Sequence, residues 1–311
     1  VTAFLLRRLL QAIPIVLGTT LLLFVVFNVV PGDPALQLAG RHATPETIAS
    51  IRKELGLDQS LPMQYFNLLK QLVTLDFGRS YSTKQEIVEI IKDGAGASFS
   101  LVAPPFFLSI LTSLLVGMLV ALYRGTWIDK SVVSLCVAGQ SISVLVYILA
   151  GQYFLAYYWG WFPISGYDAG WIERWQYLLL PGIIYIALSL APQVRFYRTI
   201  ILDEVYQDYV RTARAKGLGQ RSIMLKHVLK NAMIPIITDL VISIPFLILG
   251  ALLLESFFSI PGLGYLITNA IANTDRPVLI AVTVLGTLAF VIFNIVSDFL
   301  YALVDPRVQL R

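Results

Sequence analysis

Charge is what this sequence has least of. Lys, Arg, Asp and Glu make up 14% of its 311 residues, where a soluble domain carries roughly 25%. That shortfall excludes an ordinary water-soluble domain. With 57% hydrophobic residues and a mean hydropathy of +0.75, it implies an integral membrane protein. The single cysteine, Cys136, cannot close an internal disulfide and reads as a small buried hydrophobe. His42 and His227 are too few and too far apart for a metal site. No glycine-rich loop running into Lys-Ser/Thr is present, so the chain itself is not expected to hydrolyse ATP. No Ser-His, Cys-His or HExxH arrangement supports an enzyme. The formal charge of +4 is modest, and no nucleic-acid partner is expected.

What the sequence does have is long apolar runs. A membrane-crossing helix needs roughly 20 of them in a row. Six runs qualify: 9–30, 99–122, 131–158, 177–194, 236–256 and 278–303. The first leads into Pro31-Gly32-Asp33-Pro34 rather than a small-residue cleavage site, and reads as a retained anchor. Ionisable residues at mid-span are nearly absent, Glu255 and Asp298 being the acids nearest the membrane. That scarcity argues against a proton- or sodium-coupled carrier.

The basic residues sort by side. Arg7, Arg8, Arg124, Lys130, Arg307, Arg311 and eight more in the 195–235 loop face one way, while the short loops 159–176 and 257–277 hold only Arg174 and Arg276. The positive-inside rule then puts both termini and the 195–235 loop in the cytoplasm. Three regions follow: 1–30 with the first span, an external segment 31–98, and a five-span core 99–311. Within the external segment, Thr44-Pro45-Glu46 reads as a helix start and Gly56 as a stop, with a second helix over 62–73. Trp159, Trp161, Phe162, Trp171 and Trp175 read as an interfacial aromatic belt.

The cytoplasmic stretch "YVRTARAKGLGQRSIMLKHVLKN" is the segment that calls for an explanation. The spacing predicts a helix over 203–216, a left-handed stop at Gly217, and a second helix from about Gln220 into the fifth span. Small residues at the turn (Ala213, Ala215, Gly217) would let another protein approach the backbone. The basic side chains would equally hold the segment on anionic lipid. On physical grounds alone, docking and lipid contact are level.

"RTARAKG" followed by "IMLKHVLKNAMIPI" resembles the cytoplasmic EAA loop of binding-protein-dependent ABC importer permeases, most closely the oligopeptide/dipeptide family. "LLRRLLQAIPIVLG", "VVPGDP", "FPISG", "ESFFSIPGLGYLI" and "YALVDPR" follow the family's order along nearly the whole chain. The resemblance implies an all-α, six-helix, type I ABC importer permease in the bacterial inner membrane. It implies as partners a second homologous permease, two ATPase subunits that hold ATP and Mg, and an extracytoplasmic solute-binding protein that delivers short peptides. No cofactor is expected in this chain itself. A nickel chelate or another non-peptide solute is the alternative cargo.

Carried over by position, the family's E-A-A falls on Arg211, Thr212 and Ala213, and its glycine on Gly217. Arginine replaces the glutamate, and the motif's terminal proline falls on Lys230, with Pro235 nearby. The ATPase-coupling residues are then Tyr209, Arg211, Thr212, Ala213, Lys216 and Gly217. Uncharged polar groups of the third span, Gln140, Ser141, Ser143 and Gln152, are candidates for the translocation path, against the alternative that each bonds its own or a neighbouring helix. Glu255, Phe258, Pro261 and Gly262 are candidates for an external gate or for docking the binding protein. A plain interfacial carboxylate is the alternative reading of Glu255.

Overall fold

A computed structural model describes residues 2–29, 35–36, 44–54, 56–168, 170 and 172–304. The Pro31–Pro34 turn, Trp171, the last seven residues of the chain, and the side chains of Pro245 and Asp298 lie outside the described residues. The elements are helical throughout: α1 (Thr2–Phe24), α2 (Pro45–Glu54), α3 (Leu61–Thr74), α4 (Ile87–Leu122), α5 (Trp127–Gln140), α6 (Val144–Ala150), α7 (Arg174–Val205), α8 (Asp208–Ala215), α9 (Leu229–Leu249), α10 (Leu252–Phe258), α11 (Leu263–Ala272) and α12 (Arg276–Val304). Three of them continue π segments or are continued by them without a gap, Val25–Val29 extending α1. Gly151–Tyr158 extends α6, while Gln220–Ser222 and the π-helical Ile223–Val228 lead into α9.

Among the described residues, five helices are long and apolar enough to cross a membrane, or six if α5 and the Val144–Tyr158 helix count as one bent span. The bend is 92°, so the expected single helix over 131–158 is in fact two. Ser143 sits in an extended conformation (ψ 143°) between them. Further spans differ from expectation, among them the fourth, which runs Arg174–Val205 rather than 177–194. The second begins at Ile87 rather than 99, making a 36-residue helix. The fifth stops at Leu249 rather than 256, because Gly250 takes φ 77°, ψ −177°, which only glycine adopts without strain. Pro104 and Pro105 lie inside the unbroken α4. Apolar helices tolerate such prolines where neighbours take over the freed backbone groups.

The chain divides into two compact units, 1–94 with 266–292, and 95–265 with 293–310. In the first, Leu23, Phe77, Ile87, Ala270, Val278 and Val282 form an apolar core. Tyr65 of α3 packs edge-on to Phe24 at 5.5 Å and donates to Leu17 O at 3.2 Å, tying α3 to α1. Helix α2 starts where its cap signals place it, with Thr47 N–H bonded to Thr44 Oγ1 at 3.3 Å. Gly56, at φ 66°, follows its end.

In the second unit, helices approach closely at glycine. A Cβ at Gly117 would lie 3.2 Å from Tyr197 Cβ, and one at Gly182 would lie 3.0 Å from the Pro105 ring. Small residues of this kind let apolar helices pack backbone to backbone, and here they join α4 to α7. Near the end of that contact, Arg198 of α7 grips Asp129 of α5 with two bonds, 2.7 and 2.9 Å. Asp129 also accepts the Gly125 N–H at 2.9 Å. Arg198, expected in the 195–235 loop, thus lies within α7 and is paired with Asp129.

Asp275, between α11 and α12, anchors the 80–82 turn of the first unit. Its Oδ2 accepts from Ser80 Oγ (2.5 Å), Ser82 Oγ (2.7 Å) and Ser82 N (3.1 Å), and its Oδ1 from Tyr81 N (3.1 Å). Burial alone would raise this carboxyl, but the hydrogen bonds from Ser80, Ser82 and Tyr81 outweigh it and hold it below the ordinary carboxylate value. A carboxyl depressed by folding contributes stability above its unfolded value of about 3.9, and that stability is lost as pH falls through the folded value. Thermal unfolding in detergent should therefore show a loss on acidification below about pH 4 that Asp275→Ala lacks. At pH 7 the variant should be about 2 kcal/mol or more less stable, since charge-assisted bonds contribute roughly 1.5–3 kcal/mol each.

Candidate functional site

The basic loop is built on α7. That helix ends at Val205, the chain steps through Tyr206 and an extended Gln207 (ψ 152°), and α8 begins at Asp208. The expected helix over 203–216 is thus split, its first three residues being the end of α7. Asp208 in the first turn and Arg214 in the last complement the α8 dipole. The step is held from beside it, the Arg124 guanidinium lying 4.8 Å from the Tyr206 ring centroid. Gly217 ends the helix at φ 77° with open space where a Cβ would stand. Glycine is required there for the backbone and not for room.

The loop has two faces. Inward, Val210 and Ala213 are buried with Ile223, Met224 and Val228, continuous with the core that includes Tyr197 and Ile201. Tyr209 donates to the Glu204 carboxylate. Burial first, and the Glu204 hydrogen bond after it, push the phenol up to about 12, so it remains a neutral donor at pH 7. Outward, residues 214–221 form an unbroken exposed run, with Leu218 40% exposed at its apex. Arg211 and Thr212 are exposed as well. Arg211 reaches Asp208 at 3.3 Å, an exposed pair that contributes little. Of the six coupling residues, Arg211, Thr212, Lys216 and Gly217 face outward, while Tyr209 and Ala213 face the scaffold. The small side chain of Ala213 makes room inside this chain and none for a partner.

The four polar residues of the third span separate. Gln140, Ser141 and Ser143 gather at the 92° bend and are exposed. Gln140 accepts from Arg195 Nη1 at 2.9 Å, and Ser141 bonds its own helix at Val137 O, 2.9 Å. Gln152 stands apart, donating to Ile164 O at 3.1 Å and Phe257 O at 3.0 Å.

The turn after α9 is organised by Glu255. It is 0% exposed, so its carboxylate presents no surface to a docking protein. Its Oε1 accepts from Ser98 Oγ (2.7 Å) and Ala251 N (3.0 Å), and its Oε2 from Gly264 N (2.7 Å) and Tyr265 N (3.1 Å). Ser98 Oγ in turn accepts Leu263 N–H at 2.8 Å. The glycines around it are a steric condition of this cradle. A Cβ at Gly250 would come within 2.1 Å of Glu255 Oε1, and one at Gly262 within 2.3 Å of Oε2. Phe258 is buried, its carbonyl accepting Gly166 N–H at 2.9 Å, and of the four candidate gate residues only Pro261 is exposed.

The sequence reading overlooked Asp239. It lies midway along α9 within an apolar span, and Tyr197 OH donates to its Oδ2 at 3.1 Å. A residue-by-residue check of the fifth apolar run for Asp and Glu would have found it.

The chain matches the family described as "Binding-protein-dependent transport system inner membrane component" over residues 113–310, and that family's N-terminal component over residues 1–102. It is 34% identical over 314 residues to a putative peptide transport system permease protein of Brucella abortus, covering 99% of each chain. It is 33% identical over 308 residues, again 99% of each, to a glutathione transport system permease protein of Salmonella typhimurium.

The Glu255 cradle generates a prediction. Glu255→Gln turns an acceptor oxygen into an NH2 that faces backbone N–H groups, and should cost about 2–4 kcal/mol. Gly262→Ala should be comparably harmful by steric contact with the same carboxylate. Pro261→Ala, exposed next door, should be within about 0.5 kcal/mol of the parent. Melting temperature of the detergent-solubilised protein, followed by size-exclusion, measures all three.

Proposed function

The chain belongs to the family of binding-protein-dependent transport system inner membrane components, and on that premise we propose that it is one permease subunit of an ATP-driven importer of short peptides. A second, homologous permease completes the path. Two ATPase subunits bind below, and a solute-binding protein delivers cargo from outside. The chain contributes no catalysis of its own. The peptide cargo is inferred from the relatives, whose names include both peptide and glutathione transport. Glutathione is itself a tripeptide. Both termini and the 203–231 loop face the cytoplasm, in keeping with the basic residues concentrated there.

One observation carries the coupling role. The exposed run 214–221 is anchored on both sides by buried residues. Val210, Ala213, Ile223, Met224 and Val228 fix its base in the same core as the spans, and Gly217 sets its turn. A projection held this way transmits displacement, because a packed interior resists deformation. An ATPase subunit that grips the apex would move α7 and α9 with it. A segment lying on lipid would instead present its apolar face to the bilayer, and in α8 that face is already spent on the core.

Leu218→Asp should test the docking surface without touching the core. In the assembled transporter it should weaken ATPase-subunit binding about tenfold or more, equivalent to about 1.4 kcal/mol, with membrane insertion of this chain unchanged. Co-purification of the ATPase subunits and ATP-driven uptake are the readouts, and undiminished values for both would remove the coupling assignment.

A further inference from the structure

We propose that Asp239 is the group in this chain that receives the positive charge of the cargo, the ammonium at the free amino terminus of a peptide, on its way through the membrane. The inference rests on the peptide-importer reading and assigns a specificity residue to it.

Position comes first. Asp239 stands ten residues before Leu249, the end of α9, about 15 Å at 1.5 Å per residue. It lies inside the Gln220–Ile244 stretch that is long and apolar enough to cross a membrane, and an acid within such a span is unfavourable and marks a function. It is not sealed away. Its side is intermediate in exposure, between the buried Ile236 on one side of the helix and Ile242, 47% exposed, on the other.

Its partners come next. Tyr197, wholly buried on α7, donates one neutral hydrogen bond to Oδ2. Among the described residues no cation pairs with Asp239. The nearest arginine in sequence to Tyr197 is Arg198, which is committed to Asp129 through two bonds. The hydroxyls that flank Asp239 on α9 are also occupied, Thr238 with Ile234 O and Ser243 with the carbonyl of Asp239, each at 2.8 Å. Tyr197 thus holds one carboxylate oxygen in place, and the other is left for a donor from outside the chain. An ammonium carries three donors and a full charge, and every unblocked peptide brings one. The uncharged serines at the α5–α6 bend can accept a hydrogen bond but cannot supply that counter-charge.

The test uses the complete transporter in lipid vesicles, with its binding protein in excess and tri-alanine as the probe. Asp239→Asn keeps an oxygen for Tyr197 and removes the charge. Tyr197→Phe removes the hydroxyl and keeps the charge. The proposal expects Asp239→Asn to lower maximal ATP-driven uptake about tenfold or more, Asp239→Glu to recover most of it, and Tyr197→Phe to stay within about threefold. Uptake unchanged in Asp239→Asn would overturn the proposal. So would equal losses in Asp239→Asn and Tyr197→Phe, since the pair would then only brace α7 against α9. Loss of the second permease from purified Asp239→Asn complexes would overturn it too, by placing the counter-charge on a partner subunit. A parent transporter that does not take up tri-alanine at all would remove the peptide-importer reading, and this assignment with it.

Discussion

Where the chain breaks between helices, backbone N–H groups lose their helical acceptors, and in this protein carboxylates take that role. Glu255 accepts the amides of Ala251, Gly264 and Tyr265. Asp275 accepts those of Tyr81 and Ser82. Asp129 accepts that of Gly125 while pairing with Arg198. Each acid sits at a point where the chain leaves a helix and must re-enter one. The bonds offset part of the penalty of burying a charge, and the charge strengthens the bonds. At Glu255, which is 0% exposed, the turn would otherwise leave buried N–H groups without an acceptor.

The basic loop depends on the same device at one remove. Asp129 and Arg198 fix α5 to α7, and Arg124, beside the Gly125 turn, covers Tyr206 at the point where α7 ends. From there the chain enters α8 with its apolar side turned to the core and its basic side turned out. A projection that is stiff at the base and exposed at the apex suits a subunit that must be moved by another. The helix that carries Asp239 is continuous with the loop residues from Gln220 onward.

Much of this was legible in the sequence, for local reasons. The caps at Thr44 and Gly217 depend on residues within one turn of them, and the helices ended where those residues required. The membrane class followed from composition alone. Most of the misreadings were matters of tertiary placement. The 92° bend falls in Gln140-Ser141-Ile142-Ser143, a stretch with neither glycine nor proline to announce it. Glu255 looked like a surface charge because it follows an apolar run, yet the glycines at 250, 262 and 264 that make room for it were in plain view. Ala213 was read as space for a partner, whereas the facing Ile223 and Met224 use that space within the chain. Asp239 was lost among its apolar neighbours, and no pattern in the sequence connects it with Tyr197, forty-two positions away.

The most direct measurement is a cross-link at the apex of the loop. With Cys136 replaced by serine, Leu218→Cys places the only thiol on the 214–221 projection of the assembled, ATP-hydrolysing transporter, and Leu111→Cys, at a position 54% exposed on α4, serves as control. The account predicts an adduct between position 218 and an ATPase subunit during turnover, and none from position 111. A thiol at 218 that yields no protein adduct, while a nitroxide attached there collides with lipid-soluble quenchers, would contradict it.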